Sequence, residues 1–182
     1  MTNAEPPDEM GLVGYRPTWV EYEAASDHLC AHLRPMMASP LCDIWGVVSE
    51  EGWEPDWPLI LWFEAGAVSF STKCSERWAI EPWNAATHFD PTILNESTFQ
   101  ILELESLVTG RSPQPAFAPL IGQALTTVHW PTHRSYGVLQ SFFLWFETVG
   151  LHIFDGGDEI ACAIVSGEEW LTLIAHTECL LA

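Results

Sequence analysis

The tetrapeptide Leu61-Trp62-Phe63-Glu64 recurs as Leu144-Trp145-Phe146-Glu147. A four-residue identity that includes tryptophan is rare by chance, and here the match runs on beyond it. Continued in register, Val68 and Phe70 fall on Leu151 and Ile153, and Glu76 falls on Glu159. Each copy reads as an apolar strand, a turn, a second strand alternating with period two, another turn and a third strand. Glu64-Ala65-Gly66 supplies the first turn of one copy, and Gly156-Gly157-Asp158 the second turn of the other. Upstream, Trp45-Gly46-Val47-Val48 resembles Tyr136-Gly137-Val138-Leu139, which predicts a shared opening strand.

The pattern around the strands predicts helices. Thr18-Trp19-Val20-Glu21 has the spacing of a capping box after Pro17, and Tyr22, Leu29 and Leu33 then recur on one face until Pro35. Residues 117–129 place Leu120, Ile121, Ala124 and Val128 on one side, with Pro131 as the stop. Ser166-Gly167-Glu168-Glu169 is a second capping box, opening a helix with Trp170, Leu173, Ile174 and Leu181 inward. Residues 97–108 are its counterpart, although 100–105 also alternates as a strand would. The expected fold is therefore α+β: two pseudo-repeated α-β-β-β-α units forming antiparallel sheets covered by helices. The expected division is an acidic tail at 1–14, a first unit at 15–109, a linker at 110–115 and a second unit at 116–182, together forming one compact domain.

Charge bounds the partners. Among 182 residues, 25 Asp and Glu face six Lys and Arg, for a formal net charge of −19. Phosphate binding runs on Lys and Arg, so nucleic acid and anionic membrane are poor partners. At 48% hydrophobic the chain has enough apolar surface to offset its conformational entropy, so the charge does not imply disorder. No run reaches the ~18 apolar residues of a membrane span, and residues 1–10 lack the basic and apolar regions of a signal peptide. The five cysteines, Cys30, Cys42, Cys74, Cys162 and Cys179, are odd in number and form no CxxC. Buried thiols in a reducing cytoplasm are the expectation.

Recognisable catalytic motifs are missing. There is no G-x-S-x-G elbow, Walker A, strand-borne GxGxxG or kinase signature. His28 and His32 stand at i, i+4, a spacing that can bring two imidazoles to one metal, but Leu29 occupies the place where a zinc protease carries Glu. His129 and His133 repeat the spacing with Pro131 between them; His88 with Asp90, and His152 with Asp155, are isolated pairs. Paired carboxylates abound, yet no pair has surroundings that must separate its pKa values, as glycoside hydrolysis would require. No metal and no cofactor are expected.

The segment between the opening strand and the first LWFE strand reads as an insertion of the first copy. It carries Glu50, Glu51, Trp53, Glu54, Asp56 and Trp57, with Gly52, Pro55 and Pro58 arguing against regular structure. Indoles flanked by acids suit a protein contact: the ring supplies area, while the carboxylates steer a basic partner. Asp155, Asp158 and Glu159, followed by Glu168 and Glu169, form a second acidic cluster. Some of these carboxylates complement a helix N-terminus. The reading that best joins small size, acidity and aromatic content is a cytoplasmic inhibitor of the immunity or antitoxin type, binding a basic toxin such as a nuclease. The alternatives are a small metal- or carboxylate-dependent enzyme around His28 and His32, or an acidic adaptor or DNA mimic. Adaptation to high salt would also raise the acidity.

Overall fold

Strands dominate the chain. The structure, a computed structural model, describes residues 17–49, 52–53, 58–73, 77–83, 100–102, 115–131, 140–157 and 159–182. Along the chain run β1 (Val20–Glu21), α1 (Tyr22–Leu33), β2 (Leu41–Ser49), β3 (Gly52–Trp53), β4 (Leu59–Phe63), β5 (Gly66–Lys73), β6 (Arg77–Trp83) and β7 (Gln100–Leu102). The second half holds β8 (Leu125–Pro131), β9 (Ser141–Phe146), β10 (Gly150–Asp155), β11 (Ile160–Val165), α2 (Gly167–Ile174) and β12 (Thr177–Leu181). The first sheet has the order β1-β6-β5-β4-β2-β3, with β7 also on β2; the second has the order β11-β10-β9-β8-β12. Among the described residues, every pairing between these strands is antiparallel.

The recurrent tetrapeptide lies at matching places in these sheets. Leu61, Trp62 and Phe63 end β4, and Leu144, Trp145 and Phe146 end β9, with Glu64 and Glu147 just beyond each strand. Each strand is the second of a four-stranded meander, β2-β4-β5-β6 in one half and β8-β9-β10-β11 in the other. Pairing registers agree as well: Leu61 faces Val68, and Leu144 faces Leu151. The opening strands even share an irregularity, since β2 slips between Leu41 and Asp43 and β8 slips between Leu125 and Thr127. Each meander is closed by an antiparallel strand on its opening strand, β7 on β2 and β12 on β8.

The halves join through reciprocal contacts. Ala38 N donates to Leu125 O (2.8 Å), and its counterpart Gly122 N donates to Leu41 O (2.8 Å). Leu41 N reaches Gln123 O (2.9 Å), while Leu125 N reaches Ser39 O (3.3 Å). Such an exchange, i to j and j′ to i′, is the signature of a two-fold interface, here contained in one chain. At its centre the two phenylalanines of the repeated tetrapeptide meet: Phe63 and Phe146 stack at 6.3 Å with planes 9° apart. Phe70, Trp78 and Trp130 crowd around Phe142, and all belong to a single core built from both sheets and α1. Tyr22 of α1 stacks on Trp130 at 4.5 Å and donates its hydroxyl proton to Ser141 O. A buried phenol is satisfied this way.

The α+β reading of helix-covered α-β-β-β-α units is overturned: the protein is mostly β, with two short α-helices among the described residues. Residues 117–129 are not a helix. A 3-10 turn occupies Pro115–Leu120, Gly122 takes φ 83°, and β8 follows. The same device precedes β2, where a 3-10 turn at Arg34–Met36 leads to Ala38 at φ 60°. The strand that stands in the second half where β2 stands in the first is β8; residues 136–139, the expected opening strand, lie outside the described residues. With β8 as the equivalent of β2, the segments leading to the two LWFE strands differ in length by a single residue, so the first half carries no insertion.

Other expectations are corrected in detail. Thr18 does not cap α1; its N–H donates to Glu81 Oε1 (2.9 Å), Val20 and Glu21 pair with β6, and the N-cap residue Glu21 makes no side-chain cap bond. Of residues 97–108 the structure describes 100–102, as a strand. The final helix stops at Ile174, and Leu181 lies instead in β12, buried against the core. Cys42 and Cys179 are exposed rather than buried. Of the proposed boundaries, residues 1–14 and 110–114 lie outside the described residues, as does Cys74.

Candidate functional site

The acid–aromatic segment grows from the long strand β2. Its pairing switches along its length: Leu41 to Trp45 face β4, while Val48 and Ser49 face Trp53 and Gly52 of β3. The expectation that Gly and Pro forbid regular structure is thus corrected at Gly52 and Trp53, whose backbone continues the hairpin. Glu50, Glu51, Glu54, Asp56 and Trp57 lie outside the described residues. The other predicted cluster belongs to the second sheet. Asp155 is 2% exposed and sits at the β10–β11 turn. Its Oδ1 accepts from Gly157 N (2.7 Å), and Gly156 N donates to Glu159 O (2.8 Å). Gly157, at φ 100°, has the left-handed conformation that the turn requires. Asp155 is therefore a turn-holding carboxylate, not a surface contact. Glu159 is exposed beside it, and Asp158 is outside the described residues. The structure joins Asp155 and Glu159 in one turn and places Trp53 in the other sheet.

Histidine and thiol chemistry can be placed too. His28 and His32 lie half-buried on α1, ring centroids 6.0 Å apart. Burial, helped by the neighbouring His28 ring, lowers the pKa of His32. Among the described residues no three His, Cys, Asp or Glu side chains are grouped to hold a metal. Burial raises the thiol pKa of Cys30, and it drives Cys162 up to about 12. Burial with Glu64 and Asp43 raises that of Cys42. A thiol held in its protonated form is a poor nucleophile.

A cluster that the sequence did not suggest lies on the outer face of the second sheet. Cross-strand pairing sets His129, Phe143, His152 and Ala163 in one row. The His152 ring stacks on Phe143 at 4.3 Å and lies against Phe154 at 4.7 Å with the planes tilted by 33°. Its Nε2 is sealed from solvent without a hydrogen-bond partner, and burial lowers its pKa to about 4. Over the same face α2 lays Trp170, which meets Trp145 at 4.6 Å, Phe143 at 6.2 Å and the edge of His129 at 5.1 Å. The available signal was the lack of alternation in Ser141–Phe146: a strand apolar on both faces implies a cover on its outer side.

Comparison with protein-family models, curated proteins and solved structures finds no match for this chain. Among the described residues no helix is long and apolar enough to cross a membrane.

Proposed function

We propose that the protein is a stoichiometric inhibitor of the immunity or antitoxin kind, which covers a basic protein partner. The observation that carries this reading is the charge of −19, set by 25 acids against six Lys and Arg. Exposed carboxylates are spread over both halves, at Glu64, Glu147, Glu159, Glu168 and Glu178, so the field is a property of the whole body. Such a field accelerates encounter with a cationic surface and discriminates against anionic ones. Toxins that cut nucleic acid fit as partners because they must present cations to phosphate. The acid–aromatic segment of residues 50–57 is the proposed contact, with Trp53 and Trp57 as anchors and Glu50, Glu51, Glu54 and Asp56 as its rim. Glu159 belongs to a second contact region.

The test is kinetic. A complex recovered from the source cells at low salt identifies the partner, and surface plasmon resonance then measures both rates. Neutralising Glu50, Glu51, Glu54 and Asp56 together is expected to lower the association rate, as raised salt does. Trp53→Ala and Trp57→Ala are expected to speed dissociation, each losing ~2 kcal/mol or more if it fills a pocket. Circular dichroism confirms that each variant is folded. An acidic partner, or association that ignores both salt and these charges, would falsify the reading.

A further inference from the structure

The two meanders end on equivalent strands, β6 in the first half and β11 in the second. Their registers match residue by residue: Thr72 pairs with Trp78 as Asp155 pairs with Ile160, and Val68 pairs with Pro82 as Leu151 pairs with Ile164. Their free sides differ. On β6, Val20 of β1 pairs with Trp78, and Pro82 has no N–H to offer. Arg77 and Glu81 add charge to the same strand. On β11, Ile160–Val165 contains no charge and no proline, and among the described residues it pairs with β10 alone.

The direction of its backbone groups follows from two bonds. Asp155 N donates to Gln140 O (2.8 Å), so this backbone N–H faces β9 and not β11; Gly156 N, one residue on, donates to Glu159 O (2.8 Å). Antiparallel ladders alternate. Phe154, His152 and Gly150 are therefore the residues of β10 that bond to β11, through Ala161, Ala163 and Val165. Ile160, Cys162 and Ile164 turn their N–H and C=O outward, at the places held on β6 by Trp78, Ile80 and Pro82. An unblunted edge of this kind is a template for one more strand.

We infer that β11 is a strand-addition site that takes an extended, basic-ended segment of a protein partner. Charge selects the occupant. Glu159 is exposed just before β11, and Glu168 and Glu169 are exposed just after it. Residues 140–182 contain no Lys or Arg. A strand with Lys or Arg at both ends therefore meets carboxylates whichever way it runs. A second copy of this chain does not suit. Antiparallel pairing of β11 with itself sets the Glu159 end of each copy against the Glu168 end of the other, between bodies of charge −19. Between its ends the added strand is apolar on the side of Cys162 and Ile164, which pack against the main core, and polar on the side of the exposed Ala163. The inference rests on the basic partner proposed above and says how that partner is gripped in the region of Glu159.

The test uses the isotope-labelled full chain and a synthetic peptide of alternating valine and threonine with lysines at both ends. At saturation, amide exchange followed by NMR is expected to slow about tenfold at Ile160, Cys162 and Ile164. Ala161 and Ala163, already bonded to β10, are expected to change far less. Slowing at both sets alike, or at neither, overturns the inference. The same peptide with glutamates at its ends is expected to bind about tenfold more weakly, and equal binding overturns the choice of a basic segment. Ala163→Glu combined with Ile164→Pro copies the Glu81-Pro82 pair of β6 into β11 and is expected to weaken the lysine peptide about tenfold. Should this variant fail to fold, the exchange pattern of the native chain decides. A dimer of the peptide-free chain that the variant makes monomeric, by sedimentation velocity, gives the edge to a second copy and overturns the occupant. The recovered basic partner separates the two claims. If it binds the variant as tightly as the native chain, strand addition is overturned and the inhibitor reading stands. If the lysine peptide gives the alternating pattern and no basic protein binds, the edge is supported and the inhibitor reading alone fails.

Discussion

Ala38 holds φ at 60°, a conformation that puts an L-residue's Cβ against the following carbonyl. Its counterpart across the internal two-fold is Gly122 at φ 83°, which meets no such penalty and has open space where a Cβ would stand. The pair is a built-in comparison of one backbone shape with and without a side chain. Ala38→Gly is expected to stabilise the fold by about 0.5–1 kcal/mol, and Gly122→Ala to destabilise it by about 1 kcal/mol, by urea denaturation. Both residues anchor the reciprocal hydrogen bonds at the centre of the molecule, so no change at either would mean that the backbone relaxes elsewhere. Their roles were hidden in the sequence. Gly122 stands inside an apolar spacing that reads as helical, and nothing about Ala38 marks a left-handed residue. Asp155 was legible as an acid but not as a buried one, because its burial comes from the turn that its own carboxylate builds.

At the scale of elements, capping and close approach govern α2. Ser166 Oγ accepts from Glu169 N, and Glu169 Oε2 accepts from Ser166 N (3.0 Å), a complete capping box. This helix start was readable because the box is a local bond pattern set by two residues. Ser166→Ala is expected to cost ~1 kcal/mol in thermal or chemical unfolding. Beneath the helix, a Cβ added at Gly150 would lie 3.0 Å from Trp145 Cε3 and 3.0 Å from Trp170 Cε3. Both rings are large and packed, so Gly150→Ala is expected to lose about 1–3 kcal/mol and to raise exchange at 166–176 before it affects α1. The same spacing argument failed at residues 117–129. Apolar residues three and four apart fit a helix, but they also fit a 3-10 turn followed by a bulged strand, with Leu125, Val128 and Trp130 inward. Pro119 and Gly122 were the signals against a continuous helix. The start of α1 failed for a different reason, because Val20 and Glu21 are held by β6, a partner more than fifty residues away in sequence.

The two meanders meet across a reciprocal, two-fold seam within one chain, and the charge is a property of both halves together. The repeat was legible because Leu61, Phe63, Leu144 and Phe146 all belong to the shared core, which constrains the same side chains twice; the seam itself was not, being made of backbone bonds that side-chain patterns do not report. With 19 more negative than positive charges, the folded state repels itself at neutral pH. The ion pair of Arg77 with Glu21, at 3.3 Å and half-exposed on both sides, offsets little of this. Salt shortens the reach of that repulsion to ~10 Å at 0.1 M. The melting temperature is therefore expected to rise by several degrees between about 10 and 200 mM NaCl and to flatten thereafter, as the Debye length drops below the spacing of surface charges. Differential scanning fluorimetry across a salt series checks this, and it separates two origins of the acidity. A protein made acidic for partner binding folds at low salt and gains only modestly from screening. One made acidic for a saline habitat stays unfolded until molar salt is present. The 48% hydrophobic chain, with one continuous core crossing both halves, favours the first outcome, because its burial does not depend on ions. A chain unfolded at 10–200 mM and folded only in molar salt would assign the charge to the habitat and remove the main support for a basic partner.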